Sequence, residues 1–371
     1  MAEPSSYELD AWNEIQQFRG RQFSRRIEQA NQKVAESTRA AGDKASELLE
    51  RHPRLEAART RSQAVTSRGA KALRSGARSA AGAAPWLGEV TQSATRTTAT
   101  MSRAGLSPKR VVAKHQKRGH DVMTLRDLRS LDLEQLDAVR GRSASWLYPA
   151  GAALSGAGAA VTISGGQLVT VASAGAGAAP SAPVIMGAVA VDAAAVLALA
   201  SRAVGRTALM YGYDPETPAE KLFILSVINV GTAATTTAKS AAFKDLSKLT
   251  QALVRGKTWN VLNESVVSRV VTKFASSFTT KFTQKSLGKV VPAAGIAIGG
   301  SLNWATIEGI VDAADVSYRR RFLLEKYPQL ADNDDFGSAA LADDEVIDVI
   351  EEEETFSVIA AVAEEGGPEL D

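Results

Sequence analysis

The chain has 371 residues, 45% of them apolar but only 6% aromatic, and no cysteine. That length fits one large domain or two ordinary ones, and the absence of thiols excludes disulfides, cysteine nucleophiles and thiolate metal sites. The formal net charge of +2 conceals an asymmetry: residues 1–120 carry 22 Lys/Arg against 11 Asp/Glu, whereas residues 331–371 carry 15 Asp/Glu and no Lys/Arg.

A basic front and an acidic end can attract each other or meet separate partners. The start, MAEPSSYELDAWNEI, shows no basic stretch followed by an apolar one. No secretory signal is read, and a cytoplasmic location is the expectation. Within residues 7–50, Trp12, Ile15, Phe18, Phe23, Ile27 and Val34 recur at helical spacing. His52-Pro53 breaks this pattern, because the residue before proline disfavours the α region. Residues 55–80 are rich in Ala, Arg and Ser, which suits a poorly packed basic arm or an amphipathic helix. The expected organisation is a basic, helical and partly disordered arm over 1–103, an all-α multi-helix bundle with Gly/Ala-rich central helices over 104–330, and a disordered acidic tail over 331–371.

Ser107 and Pro108 suit an N-cap and a first helical position, and Gly119 stops that helix. Thr124 reads as a further cap. Asp132 opens a short helix with Gln135 at its third position, and Gly141 follows it. Lys109, Arg110, Lys114, Lys117 and Arg118 form a candidate surface for anions, from a membrane or another phosphate source, against the alternative of a merely solvated face. His115 and His120 are five apart rather than the four that would stack two ligands on one helix face, so no metal is expected. Nucleic acid is a disfavoured partner, because aromatic residues are not interleaved with the basic ones.

From Ser143 to Val191 run 49 uncharged residues, of which only 13 are Leu, Ile, Val, Met or Trp. Such a run is long enough to span a membrane but poor in large side chains, and its glycines and prolines interrupt a helix. A new helix is expected from about Pro183 to Gly212, where glycine suits the left-handed residue that ends it. Thr217, Pro218 and Glu220 match an N-cap, a first-turn proline and a capping-box acid. Tyr211, Tyr213 and Asp214 are left unexplained by capping. Two further helices follow Gly231, one with Val267, Val271, Phe274, Phe278 and Phe282 on one face. The uncharged stretch Val290–Ile307 is expected to be broken by Pro292, Gly295, Gly299 and Gly300.

No complete dinucleotide fingerprint, phosphate-binding loop or serine elbow occurs, and no cofactor is expected. Asp192 is a carboxylate inside an apolar helix, costly to bury unpaired. Its readings are an ion pair with Arg206 or Arg319, an exposed position, or an acid in a ligand pocket. Glu308, Asp312, Asp315 and Arg319 share one helix face, which reads first as a solvated stripe, and otherwise as a buried network with Asp192 and the arginines or as paired acid/base carboxylates. With Arg202, Arg206, Tyr211, Asp214, Asn303 and Tyr318 they form the candidate polar network.

Two blocks, SRAVGRTALMYGYDP and VVPAAGIAIGGSLNWATIEGIVDAADVSYRRRFL, resemble signature regions of the EcsC family across roughly Leu106–Leu330. The resemblance implies a membrane-proximal bacterial protein, with a membrane transporter as a partner, and no established reaction. The leading expectation is a non-enzymatic protein attached peripherally to the inner face of the cell membrane. The alternative is a lipid or small-molecule binder, or an enzyme, with a polar pocket around Asp192 and Asn303.

Overall fold

The computed structural model describes residues 3–18, 107–140, 182–233, 236–256, 262–286, 295–336 and 356–368. Its elements are α1 (Ser6–Gln16), α2 (Pro108–Gln116), a 3-10 turn (Arg126–Ser130), α3 (Leu133–Arg140), α4 (Ala182–Met210), α5 (Pro218–Thr232), α6 (Thr236–Val254), α7 (Glu264–Ser286), α8 (Gly295–Lys326), a second 3-10 turn (Pro328–Asn333) and α9 (Val358–Glu364). No strand occurs among the described residues. The fold is all-α.

Local chemistry explains most boundaries. Gly119 (φ +83°) and Gly212 (φ +82°) take the left-handed conformation after α2 and α4. At Gly212 the amide donates to the Leu209 carbonyl at 3.2 Å and the Tyr213 amide to the Ala208 carbonyl at 2.9 Å, the paired bonds of a Schellman stop. At Asp132 the backbone amide donates to Gln135 at 3.0 Å while the Asp132 carboxylate accepts from the Glu134 amide at 3.1 Å. Pro218 begins α5 as expected, but the capping there differs. Thr217 gives no side-chain cap. Its hydroxyl donates to the Asp214 carbonyl at 3.1 Å, and Glu220 faces inward to buried partners. Gly299 and Gly300 do not break α8, which continues from Gly295 to Lys326. Glycine lowers helix propensity by only about 1 kcal/mol per residue, which a helix of this length absorbs through packing.

The centre of the bundle is α5, where Leu222 through Gly231 are all buried. A helix apolar on every side belongs in a core, and α4, α6, α7, α8 and α9 pack around it. The centre is therefore not made by small-residue helices alone, and residues 141–181, the first Gly/Ala-rich unit, lie outside the described residues. The segment Ala193–Met210 of α4 is long and apolar enough to cross a membrane, yet 67% of it is buried within the fold. Burial in the bundle accounts for the same composition. The face of α7 is borne out: Val267, Phe274, Phe278 and Phe282 are buried.

Where α5 meets α8 the backbones nearly touch. A Cβ on Gly231 would lie 2.6 Å from Ile310 Cα and 3.0 Å from its backbone nitrogen. Backbone atoms cannot swing aside, so Gly231→Ala should destabilise by about 1–3 kcal/mol despite alanine's better helix propensity. A lower midpoint in urea unfolding is the expected result, and an unchanged or higher one would show that the two helices can part.

Short parts of the expected arm and tail pack against the bundle, and most of the remainder, residues 19–103 and 337–355, lies outside the described residues. Residues Ala11, Trp12 and Ile15 of α1 are buried, and α1 packs on α8 and α3. In the acidic segment, Phe336 is buried and α9 buries Val358, Ala361 and Val362. The acidic composition masks this short apolar face, because net charge is counted over the whole segment and burial is decided residue by residue.

Candidate functional site

Helix α8 carries Asp315, Tyr318, Arg319, Arg320, Arg321, Glu325 and Lys326 along its last four turns. Successive residues on a helix point about 100° apart, so three consecutive arginines leave α8 in three directions. Each meets a different carboxylate.

Around Arg319 lies the first group. Tyr211, fully buried just after α4, donates its hydroxyl to Asp137 Oδ1 at 2.9 Å. The Tyr211 hydroxyl oxygen itself accepts from Arg140 Nη1 at 3.1 Å and Arg319 Nε at 3.3 Å. Asp137 Oδ2 takes Arg319 Nη2 at 2.5 Å and the Tyr7 hydroxyl of α1 at 2.9 Å. Arg140 pairs with Asp315, whose Oδ1 is buried without a partner. Burial pushes the Asp315 carboxyl upward, with Arg140 opposing. Burial likewise raises the Tyr211 hydroxyl, with Arg140 opposing. Two guanidiniums and two carboxylates meet in this cluster, and the exposed Glu14 of α1 lies 3.8 Å from Arg319 at its edge.

The second group surrounds Arg321. Glu220 of α5 accepts from Arg321 Nη1 at 2.8 Å and from the Tyr318 hydroxyl. Arg321 Nε reaches Glu325 at 2.9 Å, and Glu325 binds Arg129 Nη1 at 3.3 Å. Arg129 Nε in turn donates to the Gly212 carbonyl at 3.1 Å. The ring of Tyr213 lies between Arg129, 4.3 Å away, and Arg321, 4.1 Å away. The left-handed Gly212 thus sends Tyr211 and Tyr213 into separate clusters. A Cβ there would sit 2.9 Å from the Leu125 carbonyl oxygen.

Two further staples complete the set. Arg320, 1% exposed, pairs with Asp334, donates to Ser247 at 2.8 Å and lies 4.7 Å from the Phe336 ring. Glu8 of α1 is fully buried and accepts from Lys326 at 2.8 Å, Tyr327 at 2.6 Å and the Leu133 amide at 3.3 Å. Burial pushes the Glu8 carboxyl up, but Lys326 and Tyr327 outweigh it and hold the carboxyl below the ordinary range.

Several expected residues sit elsewhere. Asp315 and Arg319 share a helix face yet pair with Arg140 and Asp137 of α3. The side chains of Asp192 and Asn303 lie outside the described residues. Arg202 and Arg206 are half-buried on α4, and Glu308 and Asp312 are half-buried on α8. Asp214 organises the turn before α5, accepting from the Glu216 amide at 3.0 Å. Sequence reasoning missed Tyr7, Glu8, Asp137, Arg140, Arg320 and Arg321. The local signal was the run Arg319-Arg320-Arg321, whose three directions around the helix cannot all face solvent and so call for buried counter-charges.

A separate feature is the surface of α2. Lys109, Arg110, Lys114, Lys117 and Arg118 are all exposed, while Val111, Val112 and His115 face the core. His115 Nδ1 lies 3.0 Å from His120 Nδ1, and His115 Nε2 is buried without a partner. An orphaned N–H is rarer inside proteins than an orphaned acceptor, which assigns the proton to Nδ1 and the bare lone pair to Nε2. No cluster of three metal-ligating side chains occurs among the described residues.

The fold and its charges define an all-α domain held together by an arginine-rich helix whose cations are paired inside the bundle. Residues 8–323 match the EcsC protein family, to which this chain belongs. The match begins within α1, well ahead of the motif-bearing region that opens at Leu106. Over 139 residues, 37% of this chain, the sequence is 27% identical to the uncharacterized protein YdbA of Bacillus subtilis (strain 168). That stretch is 48% of YdbA, so the match spans about half the length of this relative. No solved structure matches the chain.

Proposed function

We propose that this EcsC-family protein is a non-enzymatic component that attaches peripherally to anionic membrane surfaces through α2 and the turn after it. The observation that carries this reading is the arrangement of exposed side chains. Lys109, Arg110 and Lys114 of α2 and Lys117 and Arg118 just after it are exposed, Arg126 follows them, and Met123 stands between, 78% exposed. Basic residues beside a solvent-facing apolar side chain suit a headgroup layer, where each cation contributes about 1 kcal/mol before screening. The arginines of α8 support a structural rather than a reactive role, since they are held in buried ion pairs.

Flotation with liposomes tests this. Binding to phosphatidylserine-containing vesicles should exceed binding to phosphatidylcholine vesicles and fall as salt shortens the Debye length from about 30 Å at 0.01 M to about 10 Å at 0.1 M. The triple reversal Lys109→Glu, Lys114→Glu, Lys117→Glu should weaken binding at least about tenfold, from the per-charge contribution, while leaving the helical circular dichroism unchanged. Binding indifferent to salt, lipid charge and these substitutions would overturn the reading.

A further inference from the structure

The underside of α9 rests on α5, α6 and α7. Each wall presents a group that recognises a short helix through its backbone or its end charges. Asn229 of α5, 5% exposed, donates Nδ2 to the Phe356 carbonyl at 2.7 Å. Asp245 of α6 accepts from the Ser357 hydroxyl at 2.6 Å and from the Val358 amide at 2.9 Å, so it supplies from outside the acceptor that the first turn of a helix lacks. On α7, Phe274 meets the Phe356 ring edge-on at 5.3 Å. Just before Phe274 on α7, Lys273 reaches Glu364 at 3.1 Å and Arg269 reaches Glu365 at 2.5 Å.

We propose that the groove between α5, α6 and α7 is a helix-docking surface, and that the chain's own residues 356–368 fill it as a releasable latch. The groove fits a short helix with a serine cap, aliphatic residues one, four and five positions after the cap, and acidic residues at its end. Ser357, Val358, Ala361, Val362, Glu364 and Glu365 supply that pattern here. The contrast in attachment identifies the latch as the part that releases. Helix α9 has seven residues, fewer than the roughly 12–15 at which an isolated helix is even marginal, so it is helical only while docked. Its ion pairs each have at least one partner at the surface, Arg269 being 51%, Lys273 43% and Glu364 66% exposed with Glu365 at 16%, whereas Arg321 and Glu220 of the α8 staples are both shielded, at 7% and 3%. Surface pairs contribute little and weaken in salt. Release leaves Asn229 and Asp245 facing water at the groove rather than orphaned inside the bundle, and the groove walls belong to helices anchored by the core.

The test uses the full chain. Val358→Asp with Val362→Asp ejects the latch without altering the groove, and a fluorescent peptide of residues 355–368 is then added. Saturable binding to this double variant is expected. Binding to the wild-type chain should be at least about tenfold weaker, because the tethered latch competes at an effective concentration on the order of millimolar. Adding Asp245→Asn should also weaken peptide binding at least about tenfold, through loss of the charge-assisted contacts to the helix start. In the wild-type chain, hydrogen exchange of α9 amides should proceed through an opening separate from that of α5 and at least about a hundredfold faster. The proposal fails if α9 and α5 exchange together, if the double variant loses its cooperative helical fold, if the folded double variant ignores the peptide, or if the wild-type chain binds it equally well.

Discussion

Replacing Glu220 by alanine should lower the unfolding free energy by about 3–5 kcal/mol, the range for removing one partner of a buried ion pair. Arg321 is 7% exposed, Glu220 is its 2.8 Å partner, and the same carboxylate accepts the fully buried Tyr318 hydroxyl. Alanine strands both donors away from water. Glu325 remains on Arg321 but cannot reach across to serve Tyr318 from the α5 side. Arg321→Met should also destabilise, by leaving Glu220 short of its cation. The double variant Glu220→Leu, Arg321→Met should cost less than the sum of the two single changes, because an apolar pair leaves only the tyrosine hydroxyl unserved. Urea unfolding followed by circular dichroism measures all of these. A Glu220→Ala cost below about 1 kcal/mol, the worth of an exposed pair, would show that water or another group takes over, and that the α8 arginines do not staple the bundle.

Acid should weaken the fold through His115. Burial, with His120 and Arg118 adding repulsion, lowers its pKa from 6.5 to about 4. The folded state therefore resists protonation while the unfolded chain accepts a proton near the ordinary value. Between these two pH values the unfolded state binds more protons, so stability rises with pH. The contribution is fully present above about pH 6.5 and is lost as the pH falls toward 4. At about 1.4 kcal/mol per pH unit, the loss between pH 7 and pH 4.5 is on the order of 2–3 kcal/mol. Comparing urea midpoints at pH 7 and pH 4.5 for the wild-type chain and for His115→Leu isolates it, since ordinary carboxylates affect both alike. Equal pH sensitivity in the two proteins would assign the acid response to other groups.

The helical class and most helix boundaries follow from the sequence by itself. Pro108 and Pro218 at first-turn positions, Gly119 and Gly212 just past helix ends, and the Asp132–Gln135 pair act over five residues or fewer, so their physics is complete within the local chain. The period of apolar residues in α7 is likewise a local property. The YGYDP turn was legible as the stop of one helix and the approach to another. The tertiary structure decided the rest of that turn: which cluster each tyrosine enters, and that Glu220, equally fit for a capping box, turns inward to Arg321 and Tyr318.

The reason is that ion-pair partners are chosen by proximity in space and by burial. Asp137 and Arg319 are 182 residues apart, and Glu8 and Tyr327 are 319 apart. Along the sequence, Asp315 and Arg319 are the obvious pair, one helical turn from each other. An exposed pair of that kind contributes only about 0.3–0.5 kcal/mol. Once α3 and α1 pack beside α8, Asp137, Arg140 and Tyr7 offer contacts shielded from water, where charge interactions are several-fold stronger. The same difference separates composition from placement at the C-terminal end. Fifteen acids over residues 331–371 describe a solvated segment, but Val358, Ala361 and Val362 find a groove that exists only after α5, α6 and α7 have come together.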